Sequence, residues 1–211
     1  MKPETFDRLL DLRADNTAAK FAMDEQRPRF DALRNRHENG TAPRAVSAFQ
    51  LFQTPAALAA RLVAALGLAP GARVLEPSAG LGRLLDALAP HDPAEVVAVE
   101  IAPQCAGELF RQDRTRVRIK QRDFLTCTPA DLGTFDAVAM NPPFHLRADV
   151  AHIRHALQFL KPGGRLAALC LDTHHRRAAL EPLGNLEPIP AGTFAKEGTN
   201  VATLLFQFTA N

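Results

Sequence analysis

The spacing of apolar residues divides this chain at about residue 46. Before that point Phe6, Leu9, Leu10 and Leu12, then Phe21, Phe30 and Leu33, stand among charges of both signs. Such spacing predicts one or two amphipathic helices. They would cover one edge of a core, or serve as a lid or substrate-docking arm. Asn39-Gly40 and Pro43 then break the pattern. The organisation expected is a helical extension over 1–46 and a main domain over 47–211.

Past the break, strand-length apolar runs alternate with helical ones. Thr54-Pro55 is expected to open a helix to about Leu66, with Thr as the cap and Pro in the first turn. Gly67, Pro70 and Gly71 stop it. Strands are expected over Arg73–Glu76, Glu95–Glu100, 116–120, Phe135–Met140 and 165–171. Helices are expected up to Leu88, from Pro103, and over 148–160, with Pro162-Gly163-Gly164 turning the chain. One more helix near 175–183 and strands near 186–190 and 201–208 complete the pattern. This alternation predicts an α/β domain of βαβ units, a mainly parallel sheet with helices on both faces. In such sheets ligands bind beyond the carboxyl ends of the strands.

Composition narrows the class only slightly. A hydrophobic share of 46% in 211 residues suffices for a packed core. The net charge of +2 neither demands nor excludes a nucleic-acid partner. Cys105, Cys127 and Cys170 are odd in number and lack C-x-x-C spacing, so neither a disulfide framework nor a metal site is expected. The chain shows no apolar leader and no membrane-length apolar run, so a cytoplasmic setting without membrane contact is expected. Trp and Tyr are absent, which leaves Phe to supply aromatic stacking.

Four motifs fall at expected strand ends. Glu76-Pro77-Ser78-Ala79-Gly80-Leu81-Gly82 is a small-residue turn through which the backbone can approach a ligand. Glu100, next to Ile101, closes strand two about 20 residues later, where a carboxylate can accept from ribose hydroxyls. Asp123-Phe124 offers a carboxylate for an amino group and a ring for a planar base. Asn141-Pro142-Pro143-Phe144 is the most specific. Its two prolines fix the backbone and hold Asn141 extended. An amide or exocyclic amine nitrogen is a poor nucleophile because its lone pair is delocalised. The Asn141 side-chain oxygen and the Pro142 carbonyl can bind its hydrogens and localise the lone pair, while Phe144 stacks on the planar group.

Together these motifs resemble the class I S-adenosylmethionine-dependent methyltransferases, in particular the amino-methyltransferases with an Asn-Pro-Pro-aromatic motif. The resemblance implies a Rossmann-like fold with a seven-stranded sheet and S-adenosyl-L-methionine as cofactor. It implies cofactor contacts at Phe52, Thr54, Pro55, Glu76, Pro77, Ser78, Ala79, Gly80, Gly82, Glu100, Ile101, Asp123, Phe124 and Asn141, and catalysis by Asn141, Pro142, Pro143 and Phe144. Motif order and the segment from Phe194 to Val201 resemble small phage-type adenine-N6 DNA methyltransferases. The implied partner is nucleic acid, DNA ahead of RNA. Phe144-His145 resembles guanine-N2 methyltransferases of structured RNA, and protein glutamine methyltransferases share the Asn-Pro-Pro chemistry. Adenine DNA methyltransferases usually carry a separate target-recognition domain. Here the segment after strand five reads as completing the sheet.

Substrate contacts are expected from His145, His174, Arg176, Arg177, Phe194, Lys196 and Thr199. A basic run, Arg111, Arg114, Arg116, Arg118, Lys120 and Arg122, is either a solvated edge or a phosphate-binding stripe.

Overall fold

The structure is a computed structural model that describes residues 53–190, 192–195 and 201–211. The expected N-terminal helices, Phe52, Lys196 and Thr199 lie outside the described residues.

Helix α1 (Ala56–Leu66) leads into strand β1 (Arg73–Glu76). Then come α2 (Arg83–Leu88), β2 (Glu95–Glu100), α3 (Pro103–Arg111) and β3 (Val117–Gln121). The short α4 (Pro129–Leu132) precedes β4 (Phe135–Met140), α5 (Ala148–Ala156) and β5 (Leu160–Leu171). Helix α6 (His174–Leu180) and strands β6 (Asn185–Ile189) and β7 (Thr203–Thr209) close the domain.

The seven strands run in the order β3-β2-β1-β4-β5-β7-β6. The first five are mutually parallel, and β7 lies antiparallel between β5 and β6. Successive strand side chains point to opposite faces, and both faces are covered, so the strands read as continuous apolar runs. Val74, Ala98, Ala137, Ala139 and Leu169 pack on one side with Leu58, Leu62, Leu66, Leu84 and Leu85 from α1 and α2. Leu75, Val97, Val99, Val138, Met140 and Cys170 pack on the other with Ile153, Phe159 and Leu180. Burial raises the Cys170 thiol pKa to about 12, so it behaves as an inert apolar side chain.

Three local expectations are corrected. Thr54 does not cap α1: the cap position is Pro55, and no side chain bonds the first turn. The Pro162-Gly163-Gly164 segment does not separate a helix from a strand. Pairing of β5 with β4 starts at Leu160–Phe135 and resumes at Arg165–Ala137, so the segment is an irregularity inside one long strand. The edges of Gly163 and Gly164 are satisfied by Ala210 across the sheet end. Arg116 lies outside β3, with φ 64°, and so does not share a strand face with Arg118 and Lys120.

The strand order reverses between β1 and β4, because β2 and β3 extend one way and β5 the other. There the connections leave in opposite directions and open a crevice at the carboxyl edge.

Candidate active site

A groove of about 780 Å³ occupies that crevice, a size suited to a small organic cofactor with room for a reacting group. Its walls come from the four expected strand ends. Glu76 to Leu81 begin at the last residue of β1 and Glu100 to Ala102 at the last residue of β2, while Arg122 to Leu125 follow β3 and Asn141 to Pro143 follow β4. Every expected cofactor residue among the described ones lines it except Pro55 and Gly82.

The turn after β1 owes its shape to two glycines in the left-handed region, Gly80 at φ 54° and Gly82 at φ 88°. L side chains are disfavoured there. A Cβ on Gly82 would also meet a Leu109 methyl at 3.0 Å. Glu100 holds the turn from the neighbouring strand. Its Oε2 accepts from the Gly80 amide and its Oε1 from the Ala102 amide, each at 2.7 Å. A carboxylate has about four acceptor sites, so each oxygen retains capacity for a ligand hydroxyl.

Glu76 is 1% exposed at the end of β1, and its Oε2 finds no partner among the described residues. Burial drives its carboxyl pKa well above the ordinary value, against a weaker pull from Arg114. The buried Ser78 hydroxyl also has no partner among the described residues. A buried acid wanting a cation and a hydroxyl wanting a partner, side by side, suit the ammonium and carboxylate of an amino-acid group. Asp123 spends one oxygen capping the Leu125 amide at 2.9 Å, so part of its role is local. Phe124 is buried edge-on to His155, while Ile101 and Leu125 are exposed at 63% and 42% beside it. Apolar side chains exposed around a groove form a slot for a planar base.

The 141–144 loop is held from two sides. The Asn141 side-chain amide donates to the Thr54 hydroxyl at 3.0 Å, across 87 residues of sequence. Thr54 is 3% exposed. Its hydroxyl therefore meets the Asn141 side chain rather than capping a helix. From the other side, Arg176 Nη2 donates to the Phe144 carbonyl at 2.8 Å. Arg176 Nε donates to Asp149 Oδ2 at 2.6 Å, and that oxygen also accepts from the Leu171 amide at 3.2 Å. One buried ion pair thus ties the loop to α5, to the end of β5 and to α6.

Several expected substrate contacts are corrected by this geometry. Arg176 is buried in that pair and does not reach out to phosphate. Arg177 is committed to Asp172 through two hydrogen bonds. Phe194 is 1% exposed and belongs to the core. Phe144 packs in the same core as Leu169, Ile189 and Phe194, and does not line the groove. His145, next in the chain, is exposed and lines the groove mouth. His174 stays exposed, with its ring edge-on to His175. The arginines of the basic run are each paired with an acid: Arg111 with Glu108, Arg114 with Asp86, Arg116 with Asp92, Arg118 with Glu95 and Arg122 with Asp131.

Sequence reasoning passed over His152. It lies one helical turn after Ala148, and both line the groove. Burial holds its imidazole below the usual histidine range, so it is neutral near pH 7. Gln53 and Arg83, joined at 2.7 Å, also line the groove. Among the described residues no cluster suited to a metal ion occurs, and no helix is long and apolar enough to cross a membrane.

Residues 74–164 match a family model described as a methyltransferase domain. A segment of 91 residues is 41% identical to a ribosomal RNA small subunit methyltransferase A of Thermosynechococcus vestitus. The matched segment spans 43% of this chain and 34% of that protein, so the likeness is to about a third of its length. Among solved structures, TrmN from Thermus thermophilus matches with a TM-score of 0.60 and 25% identity, over 74% of this chain and 49% of that one. An RNA methyltransferase from Salinibacter ruber, in complex with S-adenosyl-L-homocysteine, matches with a TM-score of 0.55 and 14% identity, over 74% of this chain and 92% of that one. At that identity the likeness is one of fold. The chain thus has the class I methyltransferase fold, with S-adenosyl-L-methionine as its cofactor, and a methyltransferase-domain match over residues 74–164.

Proposed function

We propose that the chain methylates the exocyclic amino nitrogen of a nucleobase, with adenine N6 in DNA as the substrate its motifs favour. The observation that carries this reading is the placement of Asn141. It sits at the end of β4, is oriented by the buried Thr54 hydroxyl, and lines the same groove as Glu76 and Glu100.

When bound, S-adenosyl-L-methionine supplies a methyl group on a sulfonium centre. The residues of the chain do the rest. Glu76 and Ser78 hold the amino-acid end, Glu100 the ribose hydroxyls, and Asp123 with Ile101, Phe124 and Leu125 the adenine. Asn141 and the Pro142 carbonyl accept the two hydrogens of the target amine and aim its lone pair into the groove. Their rigidity supplies much of the acceleration by positioning. No strong base is required, because the nitrogen becomes acidic only after it gains the methyl group.

A second reading, methylation of structured RNA, is favoured by the 41% identity to a ribosomal RNA methyltransferase over 91 residues. One experiment separates the two. The chain is incubated with methyl-labelled cofactor and either unmethylated duplex DNA or total RNA, then nucleosides are identified by mass spectrometry. N6-methyladenine in the DNA is expected. N2-methylguanine in the RNA alone would favour the second reading, and silence in both would overturn the nucleobase assignment.

A further inference from the structure

Between the catalytic loop and α5 the backbone does something costly. Leu146 adopts φ 46°, ψ 29° and Arg147 adopts φ 62°, ψ 26°. Two successive residues with side chains in the left-handed region are disfavoured by contact of Cβ with the following carbonyl. The conformation brings no packing in return, because Leu146 is 93% exposed, the most exposed large apolar side chain described. Its neighbours His145 and Ala148 line the groove mouth. The strain therefore holds an apolar knob out from the rim, a few residues from Asn141. Such unrewarded strain beside a reaction site points to use in binding.

Charge beside the knob indicates what it meets. The arginines of the 111–122 run are each paired with an acid. Arg147 is exposed and makes no hydrogen bond or ion pair among the described residues. An apolar side chain flanked by an uncommitted guanidinium and an imidazole matches a base stack flanked by phosphates.

We infer that Leu146 is a wedge that enters the stack at the place vacated by the target base, with Arg147 on an adjoining phosphate. This rests on the nucleobase reading above. A base in a duplex must leave its stack before its amino group can reach Asn141, and filling the gap offsets part of that loss.

The test compares kcat/KM for methylation of a duplex DNA with that for the same target strand unpaired. Leu146→Ala should lose roughly tenfold or more on the duplex but under about threefold on the single strand, where little stacking must be broken. Leu146→Phe, which keeps a wedge, should retain duplex activity. Arg147→Gln should lower the slope of log affinity against log salt by about one. Cofactor affinity should be unchanged in all three, since none of these side chains is in the core. Equal loss on paired and unpaired strands would overturn the wedge and leave the nucleobase reading intact. Methylation of neither DNA by the unsubstituted chain would overturn both.

Discussion

Replacing Arg176 with Met removes the clasp on the 141–144 loop and has two consequences. Asp149 is fully enclosed and keeps only the Val150 amide at 3.0 Å and the Leu171 amide at 3.2 Å. The Phe144 carbonyl loses its guanidinium donor. Removing one partner of a buried pair costs about 3–5 kcal/mol, and the two remaining amides place this case near the low end. Loss of the hydrogen bond from Arg176 to the Phe144 carbonyl adds about 1 kcal/mol. The sum, roughly 4 kcal/mol, corresponds to a fall in Tm of about 8–16 °C for a domain of this size. Thermal and urea unfolding measure it. Arg176→Met combined with Asp149→Asn no longer buries a charge and keeps an acceptor for Leu171, so it should recover at least half of the lost stability. Its turnover should stay low, because the Phe144 carbonyl still lacks its donor and the loop is loose. A loss below about 1 kcal/mol for Arg176→Met would refute the reasoning. So would a double variant no more stable than the single one.

Asn141→Ala should reduce methyl transfer to background while leaving cofactor affinity within a few-fold, measured by turnover and by calorimetry. Thr54→Val, which keeps shape but removes the hydroxyl that takes the Asn141 amide, should lower kcat about tenfold, and Thr54→Ser should restore it. For Glu76, burial raises the folded-state pKa. From the ordinary carboxyl range up toward that raised value, the folded chain holds a proton the unfolded chain has released, so ligand-free stability falls as pH rises through this window. Glu76→Gln should abolish that fall. A bound ammonium would favour the carboxylate, so cofactor binding within the window should release a proton. Binding enthalpies in buffers of different ionisation heat should reveal the release in the unsubstituted chain and not in Glu76→Gln. An identical buffer dependence in both would rule out Glu76 as the ammonium partner.

The segments that were legible in the sequence are those whose signal is local. Strands β1, β2 and β4 fall where runs such as Glu95-Val96-Val97-Ala98-Val99-Glu100 place them, because β-branched and small apolar residues bounded by turn formers have few alternatives. The groove walls followed, since in a parallel sheet strand ends sit side by side once the order is set. The roles of individual polar and aromatic side chains did not follow. Thr54-Pro55 carries a helix-start signal, yet the Thr54 hydroxyl is taken by Asn141. His174-His175-Arg176-Arg177 reads as a basic surface patch, yet Arg176 turns inward to Asp149. Phe144 reads as a stacking ring, yet its side chain fills the core beside Phe194.

By itself, then, the sequence determined the α/β alternation, the sheet faces and the four loops at the carboxyl edge, because periodicity and turn chemistry act between residues close along the chain. Only the tertiary structure decided which polar atoms meet. Asn141 and Thr54 are 87 positions apart, and Arg176 lies 32 positions from the Phe144 carbonyl it holds. Such pairs cost loop-closure entropy that the packed core must already have offset, and no local pattern encodes them. The strained Leu146-Arg147 step is of the same kind, since neither residue favours the left-handed region and its conformation depends on where β4 ends and α5 begins.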